Sequence, residues 1–288
     1  MKERVCQFGP DLNLVGILTE PAEEDLQPDA PVILMLNAGL LHHVGPNRMS
    51  VEFARRLAGC GIRSLRFDLS GCGDSELPSE AKLDENRALL DIKDAMDFLE
   101  LKHDIRRFVI IGLCSGADHA HAIALCDSRV VGAILLDGHG YWTVRSYIIH
   151  YLPRFLGMQV WIYLVRRALS YSKLAIGRRP PIKQQFRRPF GKRLEVKREI
   201  QSLVDRGMQL LYLYSGGVEN YYNYSGQFFD MFKGLNPRGR IAVEYCPNVD
   251  HTYTFAEDRE RMYTRVIHWY SSRTWNIDSR NPIAAESH

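Results

Sequence analysis

A run of β-branched residues that ends in a glycine-flanked cysteine is the feature that most constrains how this chain can fold. Residues Val109–Ala117 read VIIGLCSGA, and Gly112 and Gly116 each lie two positions from Cys114. This spacing predicts a strand, a tight turn and a helix. In such a turn the middle residue has a strained backbone, and a side chain at either flanking glycine would collide with the strand or the helix.

The turn is typical of a nucleophile elbow, in which Cys114 occupies the nucleophile position. Ser115 comes one residue later, so it would contribute its backbone N–H as one half of an oxyanion hole. The alternative is a glycine-rich turn that only holds a small buried thiol, because cysteine is often a core residue. The segment by itself leaves both interpretations open.

The cysteines predict the compartment. Six cysteines are spread along the 288 residues without CxxC or disulfide-framework spacing, and the chain opens on the charged stretch MKERVCQF instead of an apolar signal segment. We therefore expect a cytoplasmic protein with reduced thiols.

Apolar runs of strand length alternate with amphipathic helical segments along most of the chain. After a hairpin at 5–18, strands are predicted at 31–36, 62–68, 108–111, 130–136, 209–214 and 240–245, and helices at 48–59, 82–102 and 255–270. This alternation predicts an α/β fold with a mostly parallel central sheet and helices on both faces.

The alternation stops between residues 138 and 200, which we interpret as a cap inserted into a core of residues 1–137 and 201–288. Residues 141–200 contain 14 Lys or Arg and two acidic residues, a local net charge of +12 that leaves −9 for the rest of the chain. Tyr147–Val165 is apolar but is interrupted by His150, Pro153 and Arg154, so we do not expect a membrane span. A cap of this kind would cover the carboxyl edge of the sheet, where open α/β sheets bind ligands.

A nucleophilic cysteine needs a base and a group that orients the base. His251 follows the last predicted strand in the sequence CPNVDHTYTF, and Glu219 follows the strand before it. The resulting chain order of nucleophile, acid and histidine is the order of α/β-hydrolases. Asp250 adjoins His251, but neighbouring side chains point apart, so we do not expect Asp250 to orient it.

With these residues in place, the chain resembles α/β-hydrolases of the serine-aminopeptidase-like type, and in particular the hydrolases associated with bacterial exosortase systems. The resemblance lies in the segment Asn37–Glu76, in the elbow GLCSGA and in VDHTYT. It covers most of the sheet but not the cap. A cysteine elbow of the GxCxG form also occurs in dienelactone hydrolases and polyhydroxyalkanoate synthases.

The resemblance implies an α/β-hydrolase fold and a second oxyanion donor after the first parallel strand, at the backbone N–H of Leu40, just after Gly39. It also implies His251 as the catalytic histidine. The family usually has Asp where this chain has Glu219, so Asp137, after the strand that follows the elbow helix, is the second candidate for the acid. His42 and His43 are candidate pocket residues, although exposed loop histidines are equally compatible with the sequence.

These residues together predict acyl transfer through a covalent Cys114 thioester. We expect thioesterase-type cleavage or transfer of an acyl group from a carrier protein or coenzyme A. A small ester or lactone hydrolase and a non-catalytic hydrolase-like binding protein are the alternatives. The basic cap suggests an acidic carrier protein or an anionic membrane surface as a partner, or simply a solvated face. No recognised nucleic-acid module, metal-site spacing or cofactor motif is found.

Overall fold

The structure is a computed structural model that describes residues 1–79, 86–156 and 191–275. Eight strands form one sheet in the order β1-β2-β4-β3-β5-β6-β7-β8. They are β1 Lys2–Phe8, β2 Leu14–Glu20, β3 Val32–Met35, β4 Ser64–Phe67, β5 Phe108–Leu113, β6 Val130–Leu136, β7 Gln209–Ser215 and β8 Ile241–Cys246. β1 and β2 form the predicted antiparallel hairpin, β2 is also antiparallel to β4, and all other neighbours are parallel.

The described helices are α1 Met49–Gly59, α2 Arg87–His103, α3 Ser115–Cys126, α4 Val144–Leu156, α5 Arg193–Asp205, α6 Gln227–Met231 and α7 Ala256–Ser271. The first four residues of the helix predicted at 82–102 lie outside the described residues. No described helix is long and apolar enough to cross a bilayer.

The apolar side chains form two buried clusters, as expected of a sheet covered on both faces. One contains residues of α2, α3 and α5, including Ile92, Ala120 and Ile200. The other contains residues of α1 and α7, including Phe53 and Val266. The central strands β3, β5 and β6 are buried along their whole length, so their carboxyl ends meet at a fixed edge of the sheet.

The segment predicted as a cap connects β6 to β7. α4 and the start of α5 belong to it, whereas residues 157–190, with most of the predicted basic and proline-rich stretch, lie outside the described residues. The cap therefore stays a prediction. The sheet does determine the edge at which the carboxyl ends of β3, β4, β5, β6 and β7 lie.

Candidate active site

Cys114 lies in the sharp turn between β5 and α3, as the glycine spacing predicts. Its φ of 58° and ψ of −116° are a strained conformation for a residue with a side chain. A Cβ added at Gly112 would lie 2.1 Å from the carbonyl carbon of Gly116, and one at Gly116 would lie 2.6 Å from the Asn37 carbonyl oxygen. Both positions therefore require glycine for steric reasons.

The half-buried Cys114 thiol lies at the start of a twelve-residue helix. The Cys114 carbonyl accepts hydrogen bonds from the amides of Ala117 and Asp118, at 3.0 and 3.3 Å, and these begin α3. Because a helix N-terminus carries partial positive charge, Cys114 lies at the positive end of the α3 dipole.

His251 lies in the turn between β8 and α7, and its Nδ1 is 2.7 Å from Oδ2 of Asp137. The side chain of Asp137 is fully buried, while that of His251 is 35% exposed. Hydrogen bonds with Asp137 and with Cys114 raise the pKa of His251 to about 10, although burial acts in the opposite direction. The structure therefore joins a thiol, an imidazole and a carboxylate in one chain of hydrogen bonds.

The partner of His251 corrects the first choice made from the sequence. Glu219, predicted to orient His251, is exposed and follows a short 3₁₀ turn at Gly216–Val218. That turn brings the Gly217 backbone against the His251 backbone, since a Cβ at Gly217 would lie 2.3 Å from the His251 nitrogen. The group hydrogen-bonded to the imidazole Nδ1 is instead the carboxylate of the alternative acid, Asp137, which directly follows β6.

Asp137 is held by the next strand. The amide of Ser215 donates to Oδ1 and its hydroxyl donates to Oδ2, both at 2.6 Å. The Tyr221 hydroxyl donates to the Asp137 carbonyl at 3.0 Å, and Asp137 itself has a φ of 50°. These contacts fix the carboxylate that faces His251. Ser215 was not among the residues predicted from the sequence, although a polar residue at the carboxyl end of a buried strand is a signal for such a position.

Asp250, which was not expected to orient the His251 imidazole, contacts the backbone of the same turn. Its carboxylate accepts hydrogen bonds from the amides of Thr252 and Thr254, at 2.8 and 2.9 Å, and so shapes the turn that carries His251. It therefore orients the backbone and not the imidazole.

The loop after β3 carries the predicted second oxyanion donor. Leu40 is exposed, and Gly39 has a φ of 59°. Within the described residues, the amides of Leu40 and Ser115 donate no hydrogen bond to the protein, whereas the Gly39 amide donates to Ser115 Oγ at 2.8 Å. Two backbone N–H groups near Cys114 are therefore available to a bound ligand.

Asp68, at the end of β4, anchors this loop. Its carboxylate accepts hydrogen bonds from Asn37 Nδ2 at 2.8 Å, from the His43 amide at 2.6 Å and from the Asp74 amide at 3.0 Å. It also lies 2.7 Å from His43 Nδ1. Burial raises the pKa of Asp68, but the hydrogen bonds from His43, Asp74 and Asn37 outweigh it and hold that pKa below its usual value.

The two candidate pocket histidines differ in their contacts. His43 is tied to Asp68, whereas His42 is exposed. Both line a small, mainly apolar cavity that Met35, Met49 and Phe53 also line. Among the described residues, His43, Asp68 and Asp74 are the one group whose ligand atoms lie close enough together for a metal ion. The hydrogen bonds of Asp68 account for this cluster, so we assign no metal to it.

Two further histidines on α3 serve packing. His119 is buried, and burial lowers its pKa. His121 Nε2 lies 2.9 Å from Glu199 and so connects α3 to α5.

Comparison with solved structures places this arrangement on a known fold. The Pyrococcus furiosus esterase Pf2001 superposes with a TM-score of 0.57 at 15% identity, over 94% of this chain and 92% of that one. Carboxylesterase CesB from Bacillus subtilis gives 0.57 at 18% identity, over 95% and 93% of the two chains. Proline iminopeptidase from Mycobacterium smegmatis gives 0.53 at 15% identity, over 94% and 98%.

The chain has the α/β-hydrolase fold, which confirms the fold predicted from the sequence. At these identities the likeness concerns the fold alone. No protein-family model and no curated protein matches the sequence.

Proposed function

We propose that this protein is an acyl hydrolase or acyltransferase that works through a covalent thioester on Cys114. The observation that carries the proposal is the sequence of contacts from Asp137 to His251 to Cys114, with the cysteine on a strained elbow at a helix N-terminus. An α/β-hydrolase fold supports it, since the three structural neighbours described above are named as esterases or as a peptidase.

The raised pKa of His251 favours cysteine chemistry. An imidazole with a pKa of about 10 holds its proton at neutral pH, so it stabilises a thiolate as an ion pair and can act as a general acid. The thiolate attacks the carbonyl carbon, the C–S bond forms and the carbonyl electron pair moves to oxygen. When the C=O bond re-forms, the leaving group departs with the proton of His251. Neutral His251 then accepts the proton of water or of another nucleophile as that nucleophile adds to the acyl carbon. The C–S bond breaks, and Cys114 leaves as the thiolate.

Thioesters are the substrate class we favour. An S-acyl enzyme keeps most of the acyl-transfer potential of a thioester substrate. Transfer of the acyl group from the substrate sulfur to the Cys114 sulfur therefore has a small free-energy change. An oxygen ester must be converted to the less stable thioester, which makes its first step harder. Transfer to an acceptor other than water also becomes feasible from such an intermediate.

Simple ester or lactone hydrolysis is the second candidate, because two of the neighbours are named as esterases. The matched test compares an acyl thioester with the oxygen ester of the same acyl chain. A higher kcat/KM for the thioester supports the first candidate, and a higher value for the oxygen ester supports the second. A non-catalytic binding protein is the third candidate, and it predicts no turnover of either substrate.

The experiment that tests the proposal is intact mass spectrometry after incubation with acyl thioesters of several chain lengths. We expect one acyl adduct on the wild-type protein and none on Cys114→Ala. Cys60 and Cys126 are exposed, so a variant with both changed to Ala is the matched control and should still form the adduct. An adduct that survives Cys114→Ala, or no adduct and no turnover with any chain length, contradicts the proposal.

The partner proposal rests on charge. The excess of basic residues in 141–200 suggests a phosphate-bearing or acidic acyl carrier. Its arginines at 178, 179, 187 and 188 lie outside the described residues. Charge reversal at these four positions should raise KM for a carrier-bound substrate much more than for a small thioester, and an equal effect on both substrates would argue against carrier recognition.

A further inference from the structure

The hydroxyl of Ser115 has a place in the site that the elbow motif does not require. An elbow needs only the backbone N–H of the residue after the nucleophile. Here that residue is the first of α3, and it is 6% exposed. Its Oγ accepts a hydrogen bond from the Gly39 amide at 2.8 Å, so it links the elbow to the loop after β3.

The proton of this hydroxyl is free to serve a ligand. A serine hydroxyl carries one donor and two acceptor positions, and the Gly39 amide occupies one of the acceptor positions. Within the described residues, Ser115 Oγ donates to no protein acceptor. A buried donor of this kind normally has a partner, so a bound ligand is a candidate acceptor for it.

The hydroxyl belongs to the same residue as one available backbone donor and is hydrogen-bonded to the residue before the other. Covalent geometry keeps Oγ within about 4 Å of the Ser115 nitrogen. The same Oγ is 2.8 Å from the Gly39 nitrogen, and the Leu40 amide follows directly along the chain. The amides of Ser115 and Leu40 have no acceptor in the described part of the protein, so three N–H or O–H groups without a described acceptor lie in the elbow and in the loop hydrogen-bonded to it.

We propose that the Ser115 hydroxyl is a third oxyanion donor, an inference that rests on the function proposed above. When the Cys114 thiolate adds to the carbonyl carbon, the electron pair that moves to oxygen would be stabilised by the N–H groups of Ser115 and Leu40 and by Ser115 Oγ–H. No proton is transferred in this contact. The Gly39 amide, by donating to Oγ, polarises the hydroxyl and makes it a better donor.

The test compares Ser115→Ala with Ser115→Thr, which keeps a hydroxyl. Loss of one oxyanion donor typically slows acyl transfer about 10²- to 10³-fold. We expect Ser115→Ala to lower the single-turnover acylation rate, measured with an acyl thioester, by a factor in that range. The acylation rate of Ser115→Thr should be at least about tenfold higher than that of Ser115→Ala. KM should change less than about threefold, because the charge on oxygen develops only in the transition state.

A second measurement separates donation from a purely structural link to Gly39. In the Cys114→Ala background, binding of the intact thioester by calorimetry should be the same whether Ser115 is kept or is also changed to alanine. When Cys114 is present, the aldehyde that corresponds to the same acyl group forms a tetrahedral adduct with it. This aldehyde should bind the Ser115→Ala variant at least about tenfold more weakly than it binds the wild-type protein.

Equal weakening of intact thioester and aldehyde would assign Ser115 a structural role and overturn the proposal. So would an acylation rate in Ser115→Ala within about threefold of the wild-type rate, far short of the loss expected for an oxyanion donor. These results are distinct from failure of the proposed function, which appears in the wild-type protein as the absence of any Cys114 adduct.

Discussion

Two Asp–His pairs with buried carboxylates lie at the same edge of the sheet, and only one of them contacts the cysteine. Asp68 contacts His43 and Asp137 contacts His251, in each case at 2.7 Å from Nδ1 to Oδ2. Both carboxylates directly follow a parallel strand, and both are fully buried. The Asp–His contact is therefore the same in both pairs. The pairs differ in the other groups that each aspartate and each histidine contacts.

The remaining hydrogen bonds of each carboxylate define its role. Asp68 binds two amides and one side chain of the surrounding loops, which fixes the loop that carries Gly39 and Leu40. Asp137 binds Ser215 and leaves the imidazole of His251 directed at Cys114. An Asp–His pair is thus evidence of a catalytic role only when a nucleophile completes it.

The largest expected effect separates the two histidines. Changing His251→Gln removes the proposed general acid and counter-ion of Cys114, so we expect kcat/KM for an acyl thioester to fall about 10³-fold or more. His43→Gln keeps a hydrogen-bonding side chain near Asp68 and should cost less than about tenfold, through a looser loop. Steady-state kinetics of both variants provides the measurement, and a larger loss in His43→Gln would reverse the assignment.

The next largest effect distinguishes Asp137 from Asp68 by the pH dependence of Cys114 alkylation. The raised pKa of His251 means that folding favours its imidazolium form, a contribution that is complete below its ordinary pKa of 6.5 and is lost as pH rises through about 10. With protonated His251 as the proposed counter-ion, alkylation of Cys114 by iodoacetamide should be nearly as fast at about pH 6 as at about pH 9. Peptide mapping separates Cys114 from the exposed Cys60 and Cys126.

Asp137→Asn removes the largest cause of this shift. We expect its alkylation rate at Cys114 to fall about tenfold per pH unit below about pH 8.5, as for an ordinary thiol. In Asp68→Asn the pH profile should stay flat, while the free energy of unfolding falls by about 1 to 3 kcal/mol because buried donors lose their acceptor. A flat profile in Asp137→Asn, checked by the same mapping, would remove His251 as the counter-ion.

The smallest expected effect concerns Glu219. This residue is exposed, and the hydrogen bond to His251 Nδ1 is made by Asp137. Glu219→Gln should therefore keep kcat/KM within about twofold of the wild-type value, in line with the small effects of most surface substitutions. A loss approaching that of Asp137→Asn in the same assay would restore Glu219 as the orienting acid.

Much of the fold could be predicted because each signal is local. The apolar runs at β3, β5 and β6 and the helical spacing of α1 and α7 identify elements over a few residues each. The cap is different, since its aromatic and basic residues carry no periodicity that selects one arrangement. Asn37 and Asp68 together hold the loop after β3, and neither was assigned a role from the sequence, although each lies within two residues of the end of a buried strand.

The sequence by itself determined the elbow, because Gly112 and Gly116 are required by clashes with groups only a few residues away or on the neighbouring loop. It also determined which histidine follows the last strand. Only the tertiary structure decided the acid. Asp137 and His251 are separated by 114 residues, and the order β6-β7-β8 with the length of each turn decides which carboxylate reaches Nδ1. A hydrogen bond tolerates only a few tenths of an ångström, and no local pattern in a sequence specifies a distance between strands that closely.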